Sequence, residues 1–263
     1  MFTTFLKPAD NSDELQKNIL ATYFAMRGGI VVLSTAFPLV ILFYSLGAHQ
    51  WTLSEDSISA YYGADGGAMR NYFVATLCVV GALLAVYKGF SLLENILLKI
   101  AGVAVTLVAF FPCHCWEGGK AQDFFHYAHN TVTITFFGSM IFVVEFCAMD
   151  TITLLDTQQL QVKYRRLYHG VAMLLFLALL VSFVVNRVAG LGPKSIFIPE
   201  MSAVLVFALY WFVKSREFHL TAAEDKAAAG KVLKFNGRLY DMTKPNQIQA
   251  ASREGWRPVS KKP

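Results

Sequence analysis

His126 and His129 stand three residues apart, a spacing that puts both on one face of a helix. Histidines at i and i+3 can share one metal ion. Asn130 follows His126 by four residues and Thr133 follows His129 by four, so the polar stripe runs for about two turns. His114, Glu200, Asp56 or a cysteine is available as a third ligand. Zinc held by His126, His129 and either Glu200 or His114 would lower the pKa of a bound water to about 7. Asp56 or Glu200 would then act as general base, and Ser57 or Tyr61 would steady an oxyanion. That is the chemistry of a metal-dependent hydrolase. The same groups also have plainer roles: interfacial histidines are often hydrogen-bonded side chains that snorkel. Glu200 can pair with Arg187, and Glu145 with His169 or Arg166. Cys113 and Cys115 flank His114 as a Cys-x-Cys pair suited to a soft metal, with no second pair to close the site.

Composition says what must position these residues. The chain has 263 residues, of which 55% are hydrophobic and only 16% charged, and its mean hydropathy is +0.45. A soluble domain carries about 25% charged residues, so this balance excludes soluble, disordered and fibrous classes. Four cysteines exclude a disulfide-stapled secreted scaffold. Six windows approach the roughly 20 apolar residues that a bilayer span needs: Gly29–Gly47, Asn71–Tyr87, Ile96–Pro112, Phe124–Met149, Leu167–Val185 and Ser195–Val213. The first eighteen residues are mostly polar and no small-residue cleavage site follows the first apolar run, so that run reads as a retained anchor bent at Pro38.

Lys and Arg set the orientation. With the N-terminus inside, the cytoplasmic segments hold 19 of them and the outer loops 4, namely Arg70, Lys120, Arg187 and Lys194. The expectation is an all-α polytopic bundle of six transmembrane helices, with both termini cytoplasmic and a location in a bacterial inner membrane. Residues 1–28 form a cytoplasmic segment, residues 29–215 the membrane domain and residues 216–263 a cytoplasmic tail. In that tail, Thr221–Gly230 reads as a continuation of the sixth helix into water, stopped at Gly230. KVLKFNGRLYDM, with Asn-Gly between alternating apolar residues, reads as a β-hairpin. From Glu217 onward the tail holds nine basic and five acidic residues, a net of +4. This charge is the ordinary positive-inside bias or suits anionic lipid headgroups, and the hairpin tail would dock a protein partner. No basic cluster or motif supports nucleic-acid binding.

Several short stretches resemble a family of uncharacterised bacterial six-helix membrane proteins: Ser57-Ile58-Ser59-Ala60-Tyr61-Tyr62, Met69-Arg70 opening a helix, and Tyr87-Lys88-Gly89 closing it. Phe111-Pro112, His126 opening the fourth span, Glu200 in the sixth, and Trp211 with Val213-Lys214 continue the likeness, which covers most of residues 29–215. The Cys-His-Cys loop and the long tail fall outside it. Asp56, Ser57, His126 and His129 also resemble the ingredients of the CREST superfamily, which includes alkaline ceramidases and the progestin and adipoQ receptors. That likeness implies zinc-dependent hydrolysis of a lipid amide. It departs in having six spans instead of seven, His-x-x-His instead of His-x-x-x-His, and no matching third histidine.

The leading expectation is a non-enzymatic subunit, receptor or assembly component with a polar pocket at the outer leaflet. In it His126, His129, Glu200 and the Asp56–Tyr62 loop should meet. The alternatives are the lipid hydrolase and a small transporter. Nucleotide-binding and serine-hydrolase motifs are absent from the sequence.

Overall fold

Within a bilayer core, backbone N–H and C=O groups find no water, so an apolar run closes its own hydrogen bonds as a helix. The computed structural model describes residues 12–48, 53, 55, 57–111, 120–187, 196–236 and 238–257, and it is 82% helical. The helices are α1 (Ser12–Ala48), α2 (Arg70–Val86), α3 (Leu92–Phe110), α4 (Lys120–Phe142), α5 (Gln158–Arg187) and α6 (Phe197–Thr221), followed by the short α7 (Ala223–Ala228) and α8 (Pro245–Arg253). Among the described residues, five helical stretches are long and apolar enough to cross a membrane; α2, with 17 residues, is apolar but shorter. The chain is a multi-pass membrane protein.

Each long helix packs on its neighbours in sequence, and α6 returns to α1, which closes a ring. Phe37 of α1, Phe73 of α2, Leu98 of α3, Phe136 of α4, Tyr168 of α5 and Phe207 of α6 are buried in one core. The closest approach is between α2 and α3. A Cβ on Gly81 would lie 2.6 Å from the carbonyl oxygen of Gly102, and the reverse holds for Gly102. Small residues facing each other let two backbones touch, which is how helices gain packing where lipid competes for every larger side chain.

One element runs beyond its apolar window, and one expectation about an element end is corrected. The first apolar window starts at Gly29, whereas α1 begins at Ser12 and continues through Pro38. Residues 14–26 are mostly exposed, so good helix formers such as Glu14, Leu15, Gln16 and Lys17 carry the helix beyond its apolar part. The tail does not run on from α6 into water. Ala222 takes a left-handed conformation (φ 47°), ends α6, and turns α7 back against α1. Gly230, at φ +66°, supplies the expected stop after α7.

The hairpin forms where Asn-Gly signals it. Strands β1 (Val232–Phe235) and β2 (Arg238–Asp241) pair antiparallel, with Leu233 opposite Tyr240 and Asn236 at φ 48°. Leu239 sits in a second small core with Leu154, Phe218 and Ala223. The tail is therefore a folded cap on one end of the bundle.

Candidate functional site

Glu200 anchors the end of the bundle away from the tail. Its Oε2 accepts the backbone N–H of Ile58 at 2.7 Å, at the start of the 3-10 turn Ser59–Tyr62. A carboxylate taking a backbone donor makes a charge-assisted bond, stronger than a neutral one. Ser57 Oγ accepts from the N–H of Ala60 at 3.2 Å and lies 3.1 Å from Ser59 Oγ. Tyr61 is fully buried, and its hydroxyl lies 2.6 Å from Ser45 Oγ of α1. The Arg70 guanidinium stacks 5.0 Å over the Tyr62 ring. One turn thus fastens α1, α2 and α6 together, and Glu200 meets the 57–62 loop as expected. Asp56 lies outside the described residues, as does the Arg187 side chain offered above as a partner for Glu200.

The histidines sit on α4 against the end of α3. His129 is buried, and its Nδ1 donates to the carbonyl of Phe111 at 2.8 Å. His126 is exposed, and its Nε2 lies 3.0 Å from Asn130 Nδ2, the i+4 neighbour in the predicted stripe. The amide can only donate, so that ring nitrogen accepts. Among the described residues, no three His, Cys, Asp or Glu side chains come together as a metal site. His114, Cys113 and Cys115 lie outside them.

The other end of the bundle holds a buried polar cluster that the sequence reading did not single out. Lys214 and Glu217 are 1% and 0% exposed. The three ammonium protons of Lys214 reach Thr151 Oγ1 at 2.7 Å, the Ala148 carbonyl at 3.3 Å and Glu217 Oε2 at 3.3 Å. Tyr168 donates to the same Glu217 oxygen in a short hydrogen bond. The rings of Phe218 and Tyr168 lie 4.6 and 5.5 Å from the ammonium. The usable signal was Lys-x-x-Glu, one turn apart, just past the sixth apolar window. Nearby, Glu94 is buried and accepts the N–H of Phe90 at 2.8 Å, while Ser91 caps the N–H of Glu94. This Ser-x-x-Glu arrangement is a capping box with the glutamate reaching one residue further back. A Cβ on Gly89 would collide with the Glu94 carboxyl, which accounts for the glycine in Tyr87-Lys88-Gly89. Glu145 and His169 form the expected pair at 2.7 Å.

Charged pairs bolt the cap to this end. Arg27 of α1, 3% exposed, pairs with Glu224 of α7, and Lys244 pairs with Asp156. Thr153 Oγ1 donates to the Leu239 carbonyl at 2.7 Å, and Gln247 Nε2 donates to the Thr153 carbonyl at 2.9 Å. Inside the cap, Asp241 is fully buried, 2.8 Å from Lys226 Nζ. Burial alone would raise its pKa. The Lys226 ammonium and the hydroxyl and N–H of Thr243 outweigh that and hold the carboxyl down at about 2.

No curated protein and no solved structure matches the chain. A family model does match, over residues 31–214, under the description protein of unknown function DUF998. The matched stretch runs from the first turn of α1's apolar part to the buried lysine of α6, so it takes in the 57–62 turn, Gly89, both histidines and Glu200. The chain belongs to the DUF998 family.

Proposed function

We propose that the chain is a non-catalytic component of a larger membrane assembly, with six spans and both termini in the cytoplasm. The 17 residues of α2 cover about 26 Å at 1.5 Å per residue, close to a roughly 30 Å hydrocarbon core. The Lys/Arg count of 19 against 4 favours this orientation. One observation carries the functional reading: the tail is prefolded and fastened to the bundle through Arg27–Glu224 and Lys244–Asp156. A surface ordered before binding loses less entropy when a partner docks. Asn246, Gln249 and Arg253 lie on the outward face of α8 and would meet an acidic protein surface.

The hydrolase alternative needs His126, His129 and a third ligand around one zinc ion. What disfavours it is that, among the described residues, no third His, Cys, Asp or Glu side chain joins the two histidines; the His129 Nδ1 bond to a backbone carbonyl serves a structural histidine and a metal ligand equally well. The void at the bundle centre, about 30 Å³ between residues such as Ser34, Thr76 and Phe207, is far below the roughly 300 Å³ of a ligand pocket. This size disfavours a transport site.

Native gels of gently solubilised membranes test the component reading. The chain expressed at its natural level should run well above its monomer in detergent, and Gln249→Glu with Arg253→Glu should return it to the monomer position. Monomeric migration of the unaltered chain would defeat the proposal. One zinc per chain, lost in His126→Ala/His129→Ala, would favour the hydrolase instead.

A further inference from the structure

The first three turns of α5 carry a basic surface that none of the roles above uses. Gln158, Gln159, Val162, Lys163, Arg166 and Leu167 line a shallow recess of about 610 Å³. Lys163, Arg165 and Arg166 are exposed, and none makes an ion pair among the described residues. The acids that could neutralise them are committed elsewhere. Asp156, just before α5, holds Lys244, and Glu145 holds His169, one turn deeper than Arg166. Val162 and Leu167 are 43% and 39% exposed, and beyond them Met173, Leu174, Phe176 and Leu177 form an exposed apolar face. The sequence along this face therefore runs from amides, through cations, to a strip suited to acyl chains.

We propose that this recess binds an anionic glycerophospholipid, with Lys163 and Arg166 on the headgroup phosphate and the acyl chains along the apolar face of α5. Charge complementarity selects the headgroup: zwitterionic lipids offer the same phosphate but bring their own cation. Val162 and Leu167 favour a lipid over free phosphate, because they would contact chain carbons that a soluble anion lacks. The inference rests on the chain being embedded in a bilayer, and is independent of which side the termini face.

Native mass spectrometry of the full chain, released from detergent with phosphatidylglycerol or phosphatidylcholine of matched acyl chains, tests it. Phosphatidylglycerol should bind more tightly, and Lys163→Gln/Arg166→Gln should weaken its binding roughly 30-fold, the effect of two interfacial cations. Lys163→Arg/Arg166→Lys should retain it, as should a control pair in the cap, Lys231→Gln/Arg257→Gln. All four substituted side chains are exposed, so an unchanged melting temperature should accompany each variant. Equal binding of the two lipids, equal loss in the control pair, or displacement of the lipid by inorganic phosphate would overturn the proposal. Because a micelle presents lipid on all sides, such a result would leave the topology and the fixed cap standing.

Discussion

At the scale of single residues, the strongest constraints come from polar groups buried without water. Lys214 places all three donors and two aromatic rings around one ammonium. Lys214→Met removes the charge and strands Glu217, a loss that typically costs about 3–5 kcal/mol for a buried pair. Thermal melting in detergent should show a large drop, partly recovered in Lys214→Met/Glu217→Gln; an unchanged melting temperature would mean the pair contributes nothing. Gly89 offers a cleaner comparison with Gly28, because only Gly89 would drive a Cβ into a neighbour. Gly89→Ala should destabilise by about 1–3 kcal/mol through overpacking, whereas Gly28→Ala, inside α1 with open space for its Cβ, should melt at or slightly above the parent. The histidine pair was legible as a helix face from its spacing, and Asn130 answered His126 as expected. What spacing could not show was the partner of His129, the backbone carbonyl of Phe111 just past α3, which only the packing of α3 on α4 brings near.

At the scale of elements, the 57–62 turn is the joint that Glu200 closes. Glu200→Ala should loosen that turn and lower stability by about 1.5–3 kcal/mol, the range for a hydrogen bond to a charged group, with Glu200→Gln losing less because its amide oxygen still accepts. Hydrogen exchange at the Ile58 amide reads this directly, and equal protection in all three proteins would refute it. The six apolar runs and the Asn-Gly hairpin were readable because hydropathy and turn chemistry are local signals. The break at Ala222 was not. Nothing in Thr-Ala-Ala-Glu-Asp-Lys opposes a continuous helix, and the chain turns there to place Glu224 on Arg27, nearly 200 residues earlier. Tertiary pairing overrode propensity at that point. The same reasoning explains why the start of α1 outran its apolar window: hydropathy marks where lipid begins, and helix propensity decides where a helix begins.

At the scale of the whole molecule, the family match ends at Lys214, so the cap lies beyond the segment this chain shares with its family. The cap should respond to acid. Asp241 sits at about 2 when folded, below its ordinary 3.8, so it adds stability that is complete above pH 4 and fades as the pH falls through about 2. Limited proteolysis of the tail should therefore accelerate between pH 4 and 2, and Asp241→Asn should reduce that dependence, the remainder belonging to Asp156, whose carboxyl Lys244 also holds below its ordinary value, while weakening the cap at neutral pH. Cleavage insensitive to pH in the parent protein would contradict the assignment. The central claim, that the tail is a prefolded cap held on the bundle, is tested most directly by hydrogen exchange of the β1–β2 amides in three proteins. Arg27→Glu alone should expose the hairpin to exchange, and so should Glu224→Arg alone; Arg27→Glu/Glu224→Arg should restore protection. Full exchange of the hairpin in the unaltered protein, or no recovery in the charge-swapped pair, would contradict the account.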